Sequence, residues 1–262
     1  MSTSASVRLF DSYEQSEEFS RISTPFTREG KDTLSLHFGV IGVQSEMDTK
    51  MPHRLMLSYT QMMMGFLLFN PRPQHIGMIG LGGGSIQKYC HRHLPHTEIS
   101  VAEINPDVIM LRDSFCVPKD DRRFRVFCED GADFVRRQQS QFDVLMVDGF
   151  DIAGQPPQLC SQIFYDDCYS ALAPEGIPVV NVCDGSNPML FSRIRRSFRN
   201  RIVAVNSDDS SNTIVFAARG SILGQSKEQF AVNGQKIERA APHWSSEKVR
   251  ERQLRGRYTG RI

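Results

Sequence analysis

The chain has 262 residues, enough for one large domain with an appendage and for a core that needs neither disulfides nor a structural metal. Hydrophobic residues make up 40 % and charged residues 23 %, which excludes wholesale disorder. Lys and Arg number 31 against 30 Asp and Glu, and the resulting +1 argues against a protein that coats nucleic acid or an anionic membrane. The longest apolar run, 62–69, falls far short of the roughly 20 residues that span a bilayer. No basic-then-apolar segment marks a signal peptide at the start, and the six cysteines show no CxxC spacing. A reduced, cytoplasmic protein is expected.

In chain order, residues 7–44 read as short strands. Leu34, Leu36 and Phe38 alternate with Ser35 and His37, the period of a strand with one buried face. A small antiparallel β domain over 1–51 is expected. Residues 52–69, starting near Pro52 and rich in Met and Leu, read as a helix stopped by Pro71 and Pro73. Met62-Met63-Met64 reads as core filling. From 75 onward short apolar runs at 76–81, 98–103, 124–128, 143–148, 177–182, 201–205 and 213–218 alternate with helical segments near 84–94, 106–115, 131–139, 162–172 and 188–199. Asn105-Pro106 and Asn187-Pro188 are N-cap and N1 pairs. Such alternation predicts an α/β fold, a Rossmann-like seven-stranded sheet of mostly parallel strands covered by helices, over 52–220. A C-terminal extension, 221–262, ends in a basic tail at 246–262 that reads as solvated.

Four signals sit at consecutive strand ends. Ile79-Gly80-Leu81-Gly82-Gly83-Gly84-Ser85 follows the first strand of the series, and Gly80, Gly82 and Gly84 let the backbone turn sharply and approach a ligand closely. Glu103 ends the next strand, 23 positions after Gly80, near the offset at which an acid accepts from ribose hydroxyls. Asp130-Gly131 follows the third strand; the acid suits an adenine amine, and equally suits a helix N-cap. Asp148 and Asp151 follow the fourth strand, where paired carboxylates bind a cationic amine and one can take its proton. This order favours an S-adenosyl nucleoside over a dinucleotide. Cys90, His91, His93 and His96 read as a solvated helix end rather than a metal site.

These residues resemble the spermidine/spermine synthases, the polyamine aminopropyltransferases. The likeness rests on Gln44-Ser45, the glycine turn, Glu103-Ile104-Asn105-Pro106, Asp130-Gly131, Asp148-Gly149-Phe150-Asp151 with Gly154, Phe164-Tyr165 and Ser211-Asn212-Thr213-Ile214. It implies decarboxylated S-adenosylmethionine as co-substrate, no metal, a small amine acceptor and a homodimer or higher assembly. It also implies that Gln44, Gly80, Gly82, Gly84 and Gly131 frame the nucleoside, Glu103 holds the ribose and Asp130 the adenine. Asp148 is then the base and Asp151 a substrate contact.

The chain departs from the family's pattern at Gly83, where an aspartate is usual. The Tyr-x-Glu segment aligns with His53-Arg54-Leu55, which makes His53 the candidate second substrate contact. Two rival readings remain, a methyltransferase using intact S-adenosylmethionine and a non-catalytic nucleoside-binding protein.

Overall fold

The computed structural model describes residues 24–39, 42–151, 154–183, 188–207, 212–224 and 232–233. Three short antiparallel strands come first: β1 (Phe26–Glu29), β2 (Thr33–His37) and β3 (Ser45–Asp48), in that order across the sheet. The period-2 pattern of β2 buries Leu34 and Leu36 on the face that meets the rest of the molecule.

A seven-stranded sheet follows. Its strands are β4 (His75–Ile79), β5 (Glu98–Glu103), β6 (Phe124–Cys128), β7 (Phe142–Val147), β8 (Leu172–Val182), β9 (Ile202–Asn206) and β10 (Thr213–Ala217), in the spatial order β6-β5-β4-β7-β8-β10-β9. The strands from β6 to β8 pair in parallel, and β10 pairs antiparallel with both β8 and β9. The central parallel strands β4 and β7 are almost wholly buried and mostly apolar, as expected where both faces of a sheet are covered. One buried cluster joins Ile76, Met78, Val101 and Val144 to the Met62–Met64 segment; the other joins Leu145, Val147 and Val180 to Phe164 and Tyr165.

The helices are α1 (Ser58–Met63), α2 (Ser85–His93), α3 (Pro106–Met110), α4 (Gly131–Arg136), α5 (Gln162–Ala171) and α6 (Pro188–Ser197). Asn105 caps α3 through Asp107 N at 2.9 Å, with Pro106 at the first helical position. Asn187 lies outside the described residues. No helix among the described residues is long and apolar enough to cross a membrane.

Three expectations need correction. The helix expected over 52–69 is only α1, followed by a 3₁₀ turn at Met64–Leu68. Just before Pro52 the chain is held in a turn, in which Asp48 Oδ1 accepts from Lys50 N and Met51 N at 2.9 and 3.0 Å. The helix expected over 106–115 stops at Met110, and the following turns are held from outside by Lys88 Nζ, which donates to Phe115 O at 2.8 Å. Cys90 is buried and its thiol faces Met64 Sδ, so the end of α2 is solvated only on its outer side. Of the extension, Asn233 is buried and donates to Leu68 O at 2.8 Å, while the basic tail at 246–262 lies outside the described residues.

Candidate active site

The chain runs outward from β4 to β6 and then returns to the other side of β4 at β7. Beyond the carboxyl ends of adjacent β4 and β7 this reversal opens a crevice, the usual ligand position in an open α/β sheet. It is a cavity of about 820 Å³.

The glycine turn forms its floor. Gly80 has φ +93°, and a Cβ there meets Asp148 O at 2.3 Å, so only glycine lets β4 and β7 stay this close. Gln87, buried on α2, donates its Nε2 to Gly80 O at 2.9 Å and fixes the turn from below. Gly82 lines the cavity, whereas Gly84, the left-handed N-cap of α2, faces Val117 and does not.

Gly83 is boxed in. A Cβ at this position lies 2.6 Å from Ser45 Oγ and 2.8 Å from a Phe115 ring carbon. Ser45 in turn shares a 3.3 Å hydrogen bond with the Ser85 hydroxyl, which fastens β3 onto the turn. The space that an aspartate side chain needs is filled by β3 and by the segment after α3. Gln44 lines the cavity beside Ser45.

Glu103 ends β5 almost fully buried. Its Oε2 accepts from Leu81 N at 2.8 Å and its Oε1 from Asn105 N at 2.9 Å. Burial pushes its carboxyl above the usual range, and these backbone donors offset part of that rise. The Gly82 and Ile104 N–H groups also act on this carboxylate, so backbone donors surround it at the end of β5. Of the two roles open to Asp130 in the sequence, the structure shows the helix cap. It caps α4 through Ala132 N at 2.6 Å, and its other oxygen, on the cavity side, accepts from Gln158 Nε2 at 3.1 Å. Gly131 touches Ile79, and a Cβ there clashes at 2.3 Å.

Asp148 occupies the other half of the crevice. Val147 pairs with Val180 in the parallel β7–β8 ladder, so Asp148 and Asn181, one step further, point to the same face. Asn181 Nδ2 donates to Asp148 Oδ1 at 2.8 Å, and the Tyr59 hydroxyl, on α1, donates to the same carboxylate. The side chain opens on the cavity but is taken out of bulk water, which pushes its pKa up to about 6; the two donors work in the opposite direction. Burial, then the facing carboxylate, push the Tyr59 phenol well above its ordinary value, so it remains a donor.

Asp151 lines the exposed rim, on a tight turn in which Asp151 and Gly154 exchange backbone bonds of 2.9 and 3.2 Å. His53 is elsewhere. The Asp48 turn carries it to the end of α2, where its ring lies 5.8 Å from that of His93, and it does not line the cavity. The structure brings Tyr59 to the site instead. The Tyr-x-Gln of Tyr59-Thr60-Gln61, six residues after His53, was the available signal for it. Gln61 itself donates to Leu55 O at 2.9 Å. Asn181 had no local signal at all: it lies inside an apolar strand.

Among the described residues lining the cavity, the charged side chains are Glu103, Asp130, Asp148 and Asp151; no Lys, Arg or His joins them. Such a crevice suits a nucleoside that carries positive charge and a cationic partner. No group of three or more metal-ligating side chains is present among the described residues.

Comparisons with known proteins point the same way. The spermine/spermidine synthase domain model matches residues 56–207. The polyamine aminopropyltransferase of Chromobacterium violaceum is 37 % identical over 190 residues, 71 % of this chain and 73 % of that protein. That of Neisseria meningitidis is 35 % identical over 210 residues, 79 % and 80 % of the two chains. The crystal structure of a probable spermidine synthase from Corynebacterium glutamicum shares the fold at a TM-score of 0.68 and 15 % identity, covering 82 % of this chain and 83 % of the other. With the family match spanning more than half of the chain, and with the glycine turn and the strand-end acids meeting in one crevice, this protein belongs to the spermine/spermidine synthase family.

Proposed function

We propose that this protein transfers an aminopropyl group from decarboxylated S-adenosylmethionine to a small amine. The observation that carries this reading is the charge of the crevice: four carboxylates and no cationic side chain among the described lining residues. Intact S-adenosylmethionine brings a carboxylate of its own, which this lining repels; the decarboxylated compound brings only cations.

In this reading Glu103 accepts from the ribose hydroxyls and Asp130 from the adenine amine. The acceptor's amine is almost entirely ammonium at neutral pH, because its pKa is near ~10.4. Asp148 binds that ammonium, orients it and accepts a proton. The nitrogen lone pair then attacks the propyl carbon next to sulfur. The carbon–sulfur bond breaks, its electron pair stays on sulfur, the sulfonium charge disappears and methylthioadenosine leaves. Tyr59 and Asn181 keep the Asp148 carboxylate aimed at the reacting nitrogen. Positioning and general-base help of this kind are typically worth ~10²–10⁴-fold for the proton-transfer part alone. With Gly83 offering no acid, Asp148 and Asp151 supply the counter-charge for both ammonium groups.

The test is a paired calorimetric titration of the two sulfonium compounds, with mass-spectrometric detection of aminopropylated and methylated amines. Tighter binding of the decarboxylated compound, by about tenfold or ~1.4 kcal/mol, together with aminopropyl transfer, is expected. Tighter binding of intact S-adenosylmethionine, with methyl transfer only, overturns the reading in favour of a methyltransferase. Binding of both without turnover on any amine favours a nucleoside-binding protein.

A further inference from the structure

We propose that Asn181 and Asn212 form a relay of carboxamides that positions Asp148 and holds it in the ionised state, a role that rests on the aminopropyl-transfer reading. Ile214 on β10 lies opposite Asn181 on β8, and two steps along the strand Asn212 points to the same face as Asn181. Asn212 Nδ2 donates to Asn181 Oδ1 at 2.9 Å, and Asn181 Nδ2 donates to Asp148 Oδ1 at 2.8 Å. The three side chains form one directed chain of hydrogen bonds across three neighbouring strands.

The direction is what matters chemically. A carboxamide has a donor end and an acceptor end. Because Asn212 occupies the acceptor end of Asn181, only the donor end is left for Asp148. Turning Asn181 over sets oxygen against carboxylate and NH₂ against NH₂. Asn181 is 2 % exposed, so bulk water offers it no alternative partner. A donor locked onto Oδ1 favours the carboxylate over the protonated acid. Tyr59 adds a second donor from α1. Both donors are neutral, so the charge of Asp148 is solvated and not cancelled, and it stays available to an ammonium in the cavity.

The other titratable groups around this end of the crevice are the Tyr59 phenol, the Cys183 thiol at the end of β8 and Asp151 on the loop after β7. None of them is cationic. The relay and Tyr59 are therefore what opposes the effect of burial at Asp148 before an amine arrives.

Asn212→Ala and Asn181→Leu in the full chain test this. The readouts are the carboxyl titration of Asp148 by NMR with ¹³C-labelled aspartate, assigned with Asp148→Asn, and the pH profile of kcat/KM. Asn181→Leu is expected to raise the Asp148 midpoint by about one to two pH units, the size of a lost charge-assisted hydrogen bond. Asn212→Ala moves it in the same direction by less, since it frees the Asn181 amide without deleting it. The acid limb of kcat/KM moves with the midpoint, so the deficit of each variant shrinks as pH rises. An unmoved midpoint in folded Asn212→Ala and Asn181→Leu overturns the relay, and so does a rate loss that is equal at every pH. Asn212→Ala alone decides the matter if Asn181→Leu does not fold. If the wild type transfers no aminopropyl group, the titration still tests the relay, so the failure of one idea is told apart from the failure of the other.

Discussion

The two halves of the crevice are built by different means. In the half proposed to hold the nucleoside, the glycine turn and Glu103 are tied together by backbone groups, with Leu81 N and Asn105 N on the Glu103 carboxylate, and Asp130 is held partly by Ala132 N. In the half proposed to hold the amine, Asp148 is held by side chains that come from positions 59 and 181, with 212 behind them. Backbone donors are fixed by the fold and supply local dipoles that no single substitution removes. Side-chain donors are each one mutation from loss. The proposed function therefore assigns ligand holding to the first half and the chemistry to the second.

Substitutions at Asp148 give the largest expected separation of the halves. Asp148→Asn should lower kcat by ~10²–10⁴-fold, since it removes the proposed base and counter-charge while keeping the shape. Methylthioadenosine affinity should stay within about threefold, because that ligand lacks the ammonium. Equal loss of rate and of methylthioadenosine binding breaks the division into halves.

Glu103→Ala tests the other half. Loss of the proposed ribose acceptor should weaken methylthioadenosine binding by ~1–3 kcal/mol, roughly 5- to 150-fold in Kd by calorimetry. The same change also leaves Leu81 N and Asn105 N without their acceptor, so melting temperature should fall as well. Asp130→Ala should cost on the order of 1 kcal/mol of stability as a lost N-cap, besides its effect on affinity. A Glu103→Ala protein with unchanged affinity removes the nucleoside half from the argument.

The raised pKa of Asp148 makes a stability prediction with a definite sign. Its folded-state pKa of about 6 lies above the ordinary carboxylate value, so the folded protein binds the proton more tightly than the unfolded chain. The protonated group's advantage is fully present below the unfolded pKa, near 4, and is lost as pH rises through 6. Asp148→Asn should therefore stabilise the fold at pH 8 by up to ~3 kcal/mol, read as a higher melting temperature, and this gain should vanish near pH 4. A gain that is the same at both pH values disconnects the stability effect from ionisation. In activity, the wild-type acid limb should fall near pH 6.

Gly83→Asp sharpens the comparison where the halves meet. By the family pattern, an acid grafted at this position restores a missing contact. The Ser45 hydroxyl and the Phe115 ring leave no room for even a Cβ, so the substitution should destabilise the fold by ~1–3 kcal/mol and weaken sulfonium binding. Stronger binding by a folded Gly83→Asp variant shows that β3 can give way. The smallest effect is expected at His53. Its ring sits by His93 outside the cavity, so His53→Ala should leave kcat and KM within about twofold in steady-state assays.

What the sequence determined by itself is local and periodic. The alternation of apolar runs and helical segments is enough for the seven-stranded sheet, because a strand buried on both faces must be apolar throughout. The glycine turn, Glu103, Asp130 and Asp148 are legible because each lies at a strand end, and consecutive parallel strands bring their ends to one edge. The second half of the site was not legible in this way. Tyr59 reaches Asp148 because α1 packs against β8 and β10, far from it in sequence. The closed space at Gly83 depends on β3 and Phe115, which come from opposite sides of the turn. Asn181 and Asn212 become partners of Asp148 only through strand register, a property of pairing across a sheet that no run of neighbouring residues encodes. Tertiary structure decided which side chains surround the Asp148 carboxylate because those bonds join residues 31 to 89 positions apart, a separation that local sequence patterns do not report.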